Sequence, residues 1–157
     1  MVLASGFEGA VSPPGERAIM NLILTKKDIV KLEEIISDQL LDSGADHVVL
    51  ADLSGNLIME CGSLDMEDFF SLAAVAAANF AATAEVAKLI GEQDFVLMYH
   101  KGGKRNVHFS RLAKDYLIIT LFNDNVSLGL IRLKLGSAIH EMGAIFGEPE
   151  GKNPWPS

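Results

Sequence analysis

The side chains with the most chemical reach in this chain are four histidines, His47, His100, His108 and His140, and one thiol, Cys61. An Asp52/Asn56 pair and a basic, glycine-containing turn, KGGKR at 101–105, complete the set. Imidazoles and thiolates at suitable spacing hold zinc, clustered oxygens hold calcium, and glycines that open a helix cradle phosphate. The surroundings complete none of these chemistries. His100 and His108 lie in two β-rich runs, FVLMYH and NVHFSR, on either side of the glycine turn. If Gly102 and Gly103 centre a primed two-residue turn, Lys101 faces Lys104, Met98 faces Val107 and Leu97 faces His108. Strand alternation then sets His100 with Val107 and Phe109 on one face, and His108 with Leu97 and Tyr99 on the other, so the two imidazoles cannot grip one ion. The glycines join two strands instead of opening a helix, which removes the phosphate-cradle reading.

His47 and His140 stand outside any ligand pattern, and the Asp52/Asn56 segment lacks the further oxygens of a calcium loop, so a tight turn is expected there. A single cysteine rules out an internal disulfide framework and fits a reducing cytosol; Cys61 reads as an ordinary half-buried thiol. There is no Walker-type loop, dinucleotide glycine fingerprint, nucleophile elbow or zinc spacing. The expectation is a chain with no catalytic residues, no cofactor and no metal.

The elements that position these groups can be read from periodicity. At 157 residues and 49% hydrophobic composition, one domain with a substantial core is expected. Thirteen cations against 21 carboxylates leave a net charge of −8, with no basic cluster larger than 101–105, which argues against a nucleic-acid partner. Residues 1–21, with Pro13, Pro14 and three glycines, read as a flexible leader without a secretory signal, and Met20 is a candidate natural start. Thr25 with Asp28 forms a capping-box pattern for an amphipathic helix that runs toward Gly44. Strands follow at 47–53 and 57–61, then at 95–100, 106–111 and 116–122, the last continuously apolar and so central. Ser127 begins a last helix running to about 146; Gly129, Gly136 and Gly143 recur along it and imply close backbone approach. Residues 148–157, with three prolines and Trp155, read as a disordered tail.

The longest helix signal lies at 65–91, with Asp65 as N-cap and Gly91 as C′ residue. Nine alanines fall between Ala73 and Ala87, and no charge occurs from Phe69 to Ala84. A surface helix of a monomer has a charged face, so this one is expected to be covered on two sides. Glu67, Ser71, Ala74, Ala78, Ala81, Glu85 and Lys88 form a line that is charged at the ends and small in the middle, the anatomy of a helix-to-helix contact. Ser71, Ala74, Ala78, Ala81, Glu85 and Lys88 are therefore the candidate dimer-interface residues. Membrane insertion is not expected, because a span needs about 20 mainly apolar residues and this run is shorter and interrupted by Asn79 and Thr83. Asn79 reads as a register-fixing contact residue.

The element order, together with HVVLADLSGNLIMECG, LAAVAAANFAATAEVAKLIGE and YLIITLFNDNVSLGLIRLKL, resembles the roadblock/dynein-light-chain family, most of all its bacterial MglB-type members. The likeness runs from about Leu24 to Phe146 and rests on hydrophobic positions and glycines. It implies an α/β (α+β) domain over 22–147 of order αββαβββα: a five-stranded sheet with helices on both faces, paired with a second copy partly through the long helix. It also implies a non-enzymatic, cytoplasmic homodimeric regulator or scaffold that binds a Ras-like small GTPase and modulates its nucleotide cycle. An adaptor subunit of a motor or signalling complex and, less favoured, a small-molecule sensor domain are the alternatives. MglB-type regulators contribute no arginine finger, so Arg105 and Arg111 read as exposed, solubilising charges.

Overall fold

The computed structural model describes residues 23–148. The leader, Met20 and all but the first residue of the 148–157 tail, including Trp155, lie outside the described residues. The chain forms helix α1 (Lys26–Ile36), strands β1 (His47–Asp52) and β2 (Leu57–Gly62), and helix α2 (Phe69–Leu89). Strands β3 (Leu97–His100), β4 (Asn106–Leu112) and β5 (Tyr116–Phe122) and helix α3 (Leu128–Gly143) follow. The five strands make one antiparallel sheet in the order β2-β1-β5-β4-β3.

Alternation along the central strands divides the core in two. Val48, Leu50, Met59, Leu112, Ile118 and Phe122 point to the face covered by α1 and α3, where they meet Leu32, Ile36, Ile131, Leu135 and Met142. Val49, Ala51, Leu57, Phe109, Leu117 and Ile119 point the other way, onto Ala73, Ala76 and Phe80 of α2. β5 is buried from Leu117 to Phe122, as its unbroken apolar run requires of a strand covered on both faces. The sheet is thus a central layer with two helices on one side and one on the other.

The helix ends show how local chemistry places these layers. Thr25 caps α1 with the expected box: the Asp28 N–H donates to Thr25 Oγ1 at 3.1 Å, and the Thr25 N–H donates to Asp28 Oδ2 at 2.9 Å. After Ile36 the helix widens into a π-helical turn, Ser37–Leu41, and ends before Gly44 at φ +107. Ser127 caps α3, accepting from the Leu130 N–H at 3.1 Å. α2 closes on Gly91 (φ +84), with the Glu92 N–H donating to Ala87 O at 2.9 Å and the Gly91 N–H to Lys88 O at 3.3 Å, the paired bonds of a Schellman end.

Four expectations need correction. α2 begins at Phe69 with Asp68, not Asp65, as N-cap: the Ser71 N–H donates to Asp68 Oδ1 at 2.8 Å and the Ser71 hydroxyl donates to the second carboxylate oxygen. The β3–β4 connection is five residues, 101–105, so Met98 faces Phe109 and Tyr99 faces His108. The register moves by two, which leaves every side chain on its expected face, because the period of a strand is two. Gly129 has nothing within 4 Å of where a Cβ would sit, and Gly143 meets only Glu148 Cβ at 3.4 Å, so close helix approach does not explain either glycine within one chain. Arg111 is the fourth: it is half-buried and paired with Asp94 instead of standing free in solvent. Replacing Asp68 by alanine removes the cap and is expected to lower stability by about 1 kcal/mol. A urea transition with an earlier midpoint and unchanged slope is the expected reading; an unchanged midpoint would place the cap elsewhere.

Candidate interaction surface

The groups that suggested chemistry are occupied by structure. His47 is buried, stacks on Phe69 at 4.5 Å, accepts the Leu64 N–H on Nδ1 at 3.2 Å and hydrogen-bonds Glu60 through Nε2. Because Nδ1 accepts, the ring hydrogen sits on Nε2 and is donated to the carboxylate. Gly62 lies beside it at φ +142, where a Cβ would come within 2.4 Å of Asp46 O and 2.6 Å of His47 Nδ1. His47 therefore ties the end of β2 to the entry of α2. Burial, helped by Glu33 and Glu60, pushes the Cys61 thiol up to about 12, which keeps it protonated and unreactive.

Asp52 closes the β1–β2 turn. Its Oδ1 accepts the N–H groups of Ser54 at 3.0 Å and Asn56 at 2.9 Å, and its Oδ2 accepts the Asn56 amide at 2.9 Å. His100 is exposed and meets the Phe109 ring edge-on at 5.5 Å, whereas His108 is fully buried on the opposite face, as the alternation predicts. His140 is exposed on α3. Among the described residues no three His, Cys, Asp or Glu side chains are grouped to hold a metal ion.

Arg111 is not a solubilising charge. It pairs with Asp94, its guanidinium lies 5.6 Å from the centre of the Phe80 ring, and its N–H donates to Val96 O at 2.9 Å. It joins β4, the α2–β3 connection and the sheet-facing side of α2 in one contact. The aromatic partner was invisible in the sequence because Phe80 and Arg111 are 31 residues apart and meet only through the fold. Arg105, by contrast, is exposed.

The surface with the least internal explanation is the outer flank of α2. Ser71, Ala74, Ala78, Ala81, Glu85 and Lys88 are all exposed on it. Ser71 is committed to the cap, Ala74 sits against the β1–β2 turn, where a Cβ on Gly55 would lie 3.1 Å from its Cα, and Lys88 pairs with Glu85 at 2.9 Å. Ala78 and Ala81 form the open centre. Beside them run bulkier residues that the small-residue line omitted: Val75 is 67% exposed, Val86 50%, Leu89 86% and Ile90 65%. Val75, Ala78, Ala82, Val86 and Leu89 recur at three and four residues, so ordinary helical spacing carried the signal. By length and apolarity α2 would pass for a membrane span, with 22% of its most apolar window buried. Its Ala73, Ala76 and Phe80 side is nevertheless core to the sheet, so the exposed apolar area is one flank of a packed helix.

An antiparallel five-stranded sheet with two helices on one face and one half-covered helix on the other is a three-layer α+β domain. Residues 31–131 match the model of the Roadblock/LC7 domain, and the chain belongs to that family. The solved structure of Myxococcus xanthus MglB is 34% identical, covering 74% of this chain and 94% of its own, with a TM-score of 0.70. The gliding protein MglB from Thermus thermophilus is 25% identical with a TM-score of 0.74, over 86% of this chain and 97% of its own. An uncharacterised protein from Aquifex aeolicus (strain VF5) is 25% identical over 134 residues, 83% of this chain and 82% of its own. The roadblock-like topology and the likeness to bacterial MglB proteins stand as expected from sequence.

Proposed function

We propose that this chain is a non-enzymatic, cytoplasmic regulator that pairs with a second copy along the outer flank of α2 and binds a Ras-like small GTPase, altering its nucleotide cycle. The observation that carries the reading is the exposed apolar flank, Val75 to Ile90, on a helix whose other side is fully used. Burying one such side chain stabilises by roughly 1.5–3 kcal/mol, and a two-fold contact along this flank would bury the same residues on both copies. Ala78 and Ala81 at its centre let two helix backbones approach, while Glu85 and Lys88 form a wet rim. The likeness to MglB supports a GTPase as partner. With no arginine lent to it, that GTPase hydrolyses nucleotide with its own residues.

The test uses the full chain and the Ras-like GTPases encoded in the same genome. A dimer by light scattering, with a changed hydrolysis or exchange rate for one GTPase, is the expected outcome. Dimers that bind none of them would replace the regulator reading with a scaffold that recruits other partners.

A further inference from the structure

The 101–105 connection holds the densest cations of an acidic chain, and the fold fixes its shape. Gly102 is required, since a Cβ there would lie 2.2 Å from the Arg105 carbonyl oxygen. Its N–H donates to Asn106 Oδ1 at 3.2 Å, and the amide of Asn106, itself only 2% exposed, donates to Asp124 Oδ1 at 2.8 Å. Lys101 reaches the same carboxylate oxygen at 2.8 Å, and these two donors hold Asp124 below the usual carboxylate range. Lys101 is thus spent inside the loop. Lys104 and Arg105 project from it, and among the described residues no carboxylate lies within ion-pairing distance of either.

A loop that served only solubility would need neither a buried asparagine beneath it nor a shared carboxylate to hold it. We propose that this loop, through Lys104 and Arg105, is a docking surface for an acidic face of a partner protein, separate from the α2 flank. The inference rests on the reading of the chain as a protein-binding regulator. Two projecting cations are fewer than the four to eight that recruit anionic lipid, and the −8 charge of the whole chain opposes any extended polyanion. A compact acidic patch on a folded protein matches the footprint. Complementary charge of this kind acts mainly on the rate of encounter and on specificity.

A glutamate-rich peptide is the probe, titrated at low salt into the isotope-labelled full chain. Amide shifts confined to 101–106 and Asp124, lost at high salt and in the double variant K104E/R105E, are expected. Shifts spread evenly over Lys26, Lys27, Lys31 and Lys114, or binding retained by the double variant, would overturn the proposal. So would tighter, loop-dependent binding to phosphatidylserine vesicles, which would make the surface a membrane contact. With a GTPase that the wild type binds, K104E/R105E is expected to slow association about 10-fold while leaving the dimer intact. A wild type that binds no GTPase removes the regulator reading, and the peptide titration then decides the loop by itself.

Discussion

The wild-type chain is expected to be a dimer in solution, and the double variant A78E/V86E a folded monomer at the same concentration. Both positions are exposed on α2 in the single chain, and glutamate is a good helix former, so each substitution should change folding stability by no more than about 0.5 kcal/mol. At a two-fold contact the same carboxylates would be buried without partners, and each copy would face its twin. The effective cost of desolvating an unpaired charge is several kcal/mol per ion, and about 1.4 kcal/mol is tenfold in association, so a loss of about 1,000-fold or more is expected. Sedimentation and light scattering read the mass, and far-UV circular dichroism confirms that the helix persists. Lys88→Glu, at the paired rim, should weaken the dimer by less than about tenfold. A double variant that stays dimeric would move the contact away from α2, and with it the role given to Ala78 and Ala81.

Much of this surface was legible in advance because it follows from local arithmetic. The span from Phe69 to Ala84 carries no charge, and Ala74, Ala78 and Ala81 are exposed where helical spacing put them. β5 was recoverable residue for residue because both of its faces are buried, which leaves a continuous apolar run between polar turns. What escaped is nonlocal. Asp65 and Asp68 are equally good caps by type, and the choice between them falls to the Gly62 to Leu64 segment, which His47 and Asp46 hold against β1 before the chain can enter α2. The β3–β4 turn looked like two residues because Gly102 and Gly103 suit a primed turn. Asn106 and Asp124 instead hold a wider loop, and Asp124 belongs to another element. The role of Arg111 depended on Phe80 and Asp94, neither of which local periodicity relates to it.

Stability is expected to fall between pH 6.5 and about 4 by an amount set largely by one residue, His108. Its ring lies on the sheet face beneath α1 and α3, fully buried, opposite Tyr99 on β3 and Thr120 on β5, with Nδ1 2.9 Å from Ser110 Oγ. Burial, and to a lesser degree the Arg132 charge, push its pKa down from 6.5 to about 4. The folded protein therefore binds fewer protons than the unfolded chain in that window. Stability is unaffected by this group above pH 6.5, declines as the pH falls toward 4, and changes no further below it. Each tenfold loss of proton affinity corresponds to about 1.36 kcal/mol, so the total is about 3 kcal/mol, a large part of the margin of a domain this size. Asp28, Asp68 and Asp124, whose pKa values are lowered by their hydrogen bonds, add acid sensitivity only nearer their own, lower range. His108→Gln separates the two effects. The variant is expected to start less stable at pH 7, since its amide must be satisfied in the same apolar layer, yet to lose about one proton's worth of slope between about pH 6.5 and 4.5. Denaturant titrations across that range measure the slope directly. Equal slopes in the two proteins would mean that His108 is charged in the folded state, and a charge there would require water to reach the layer between the sheet and α3.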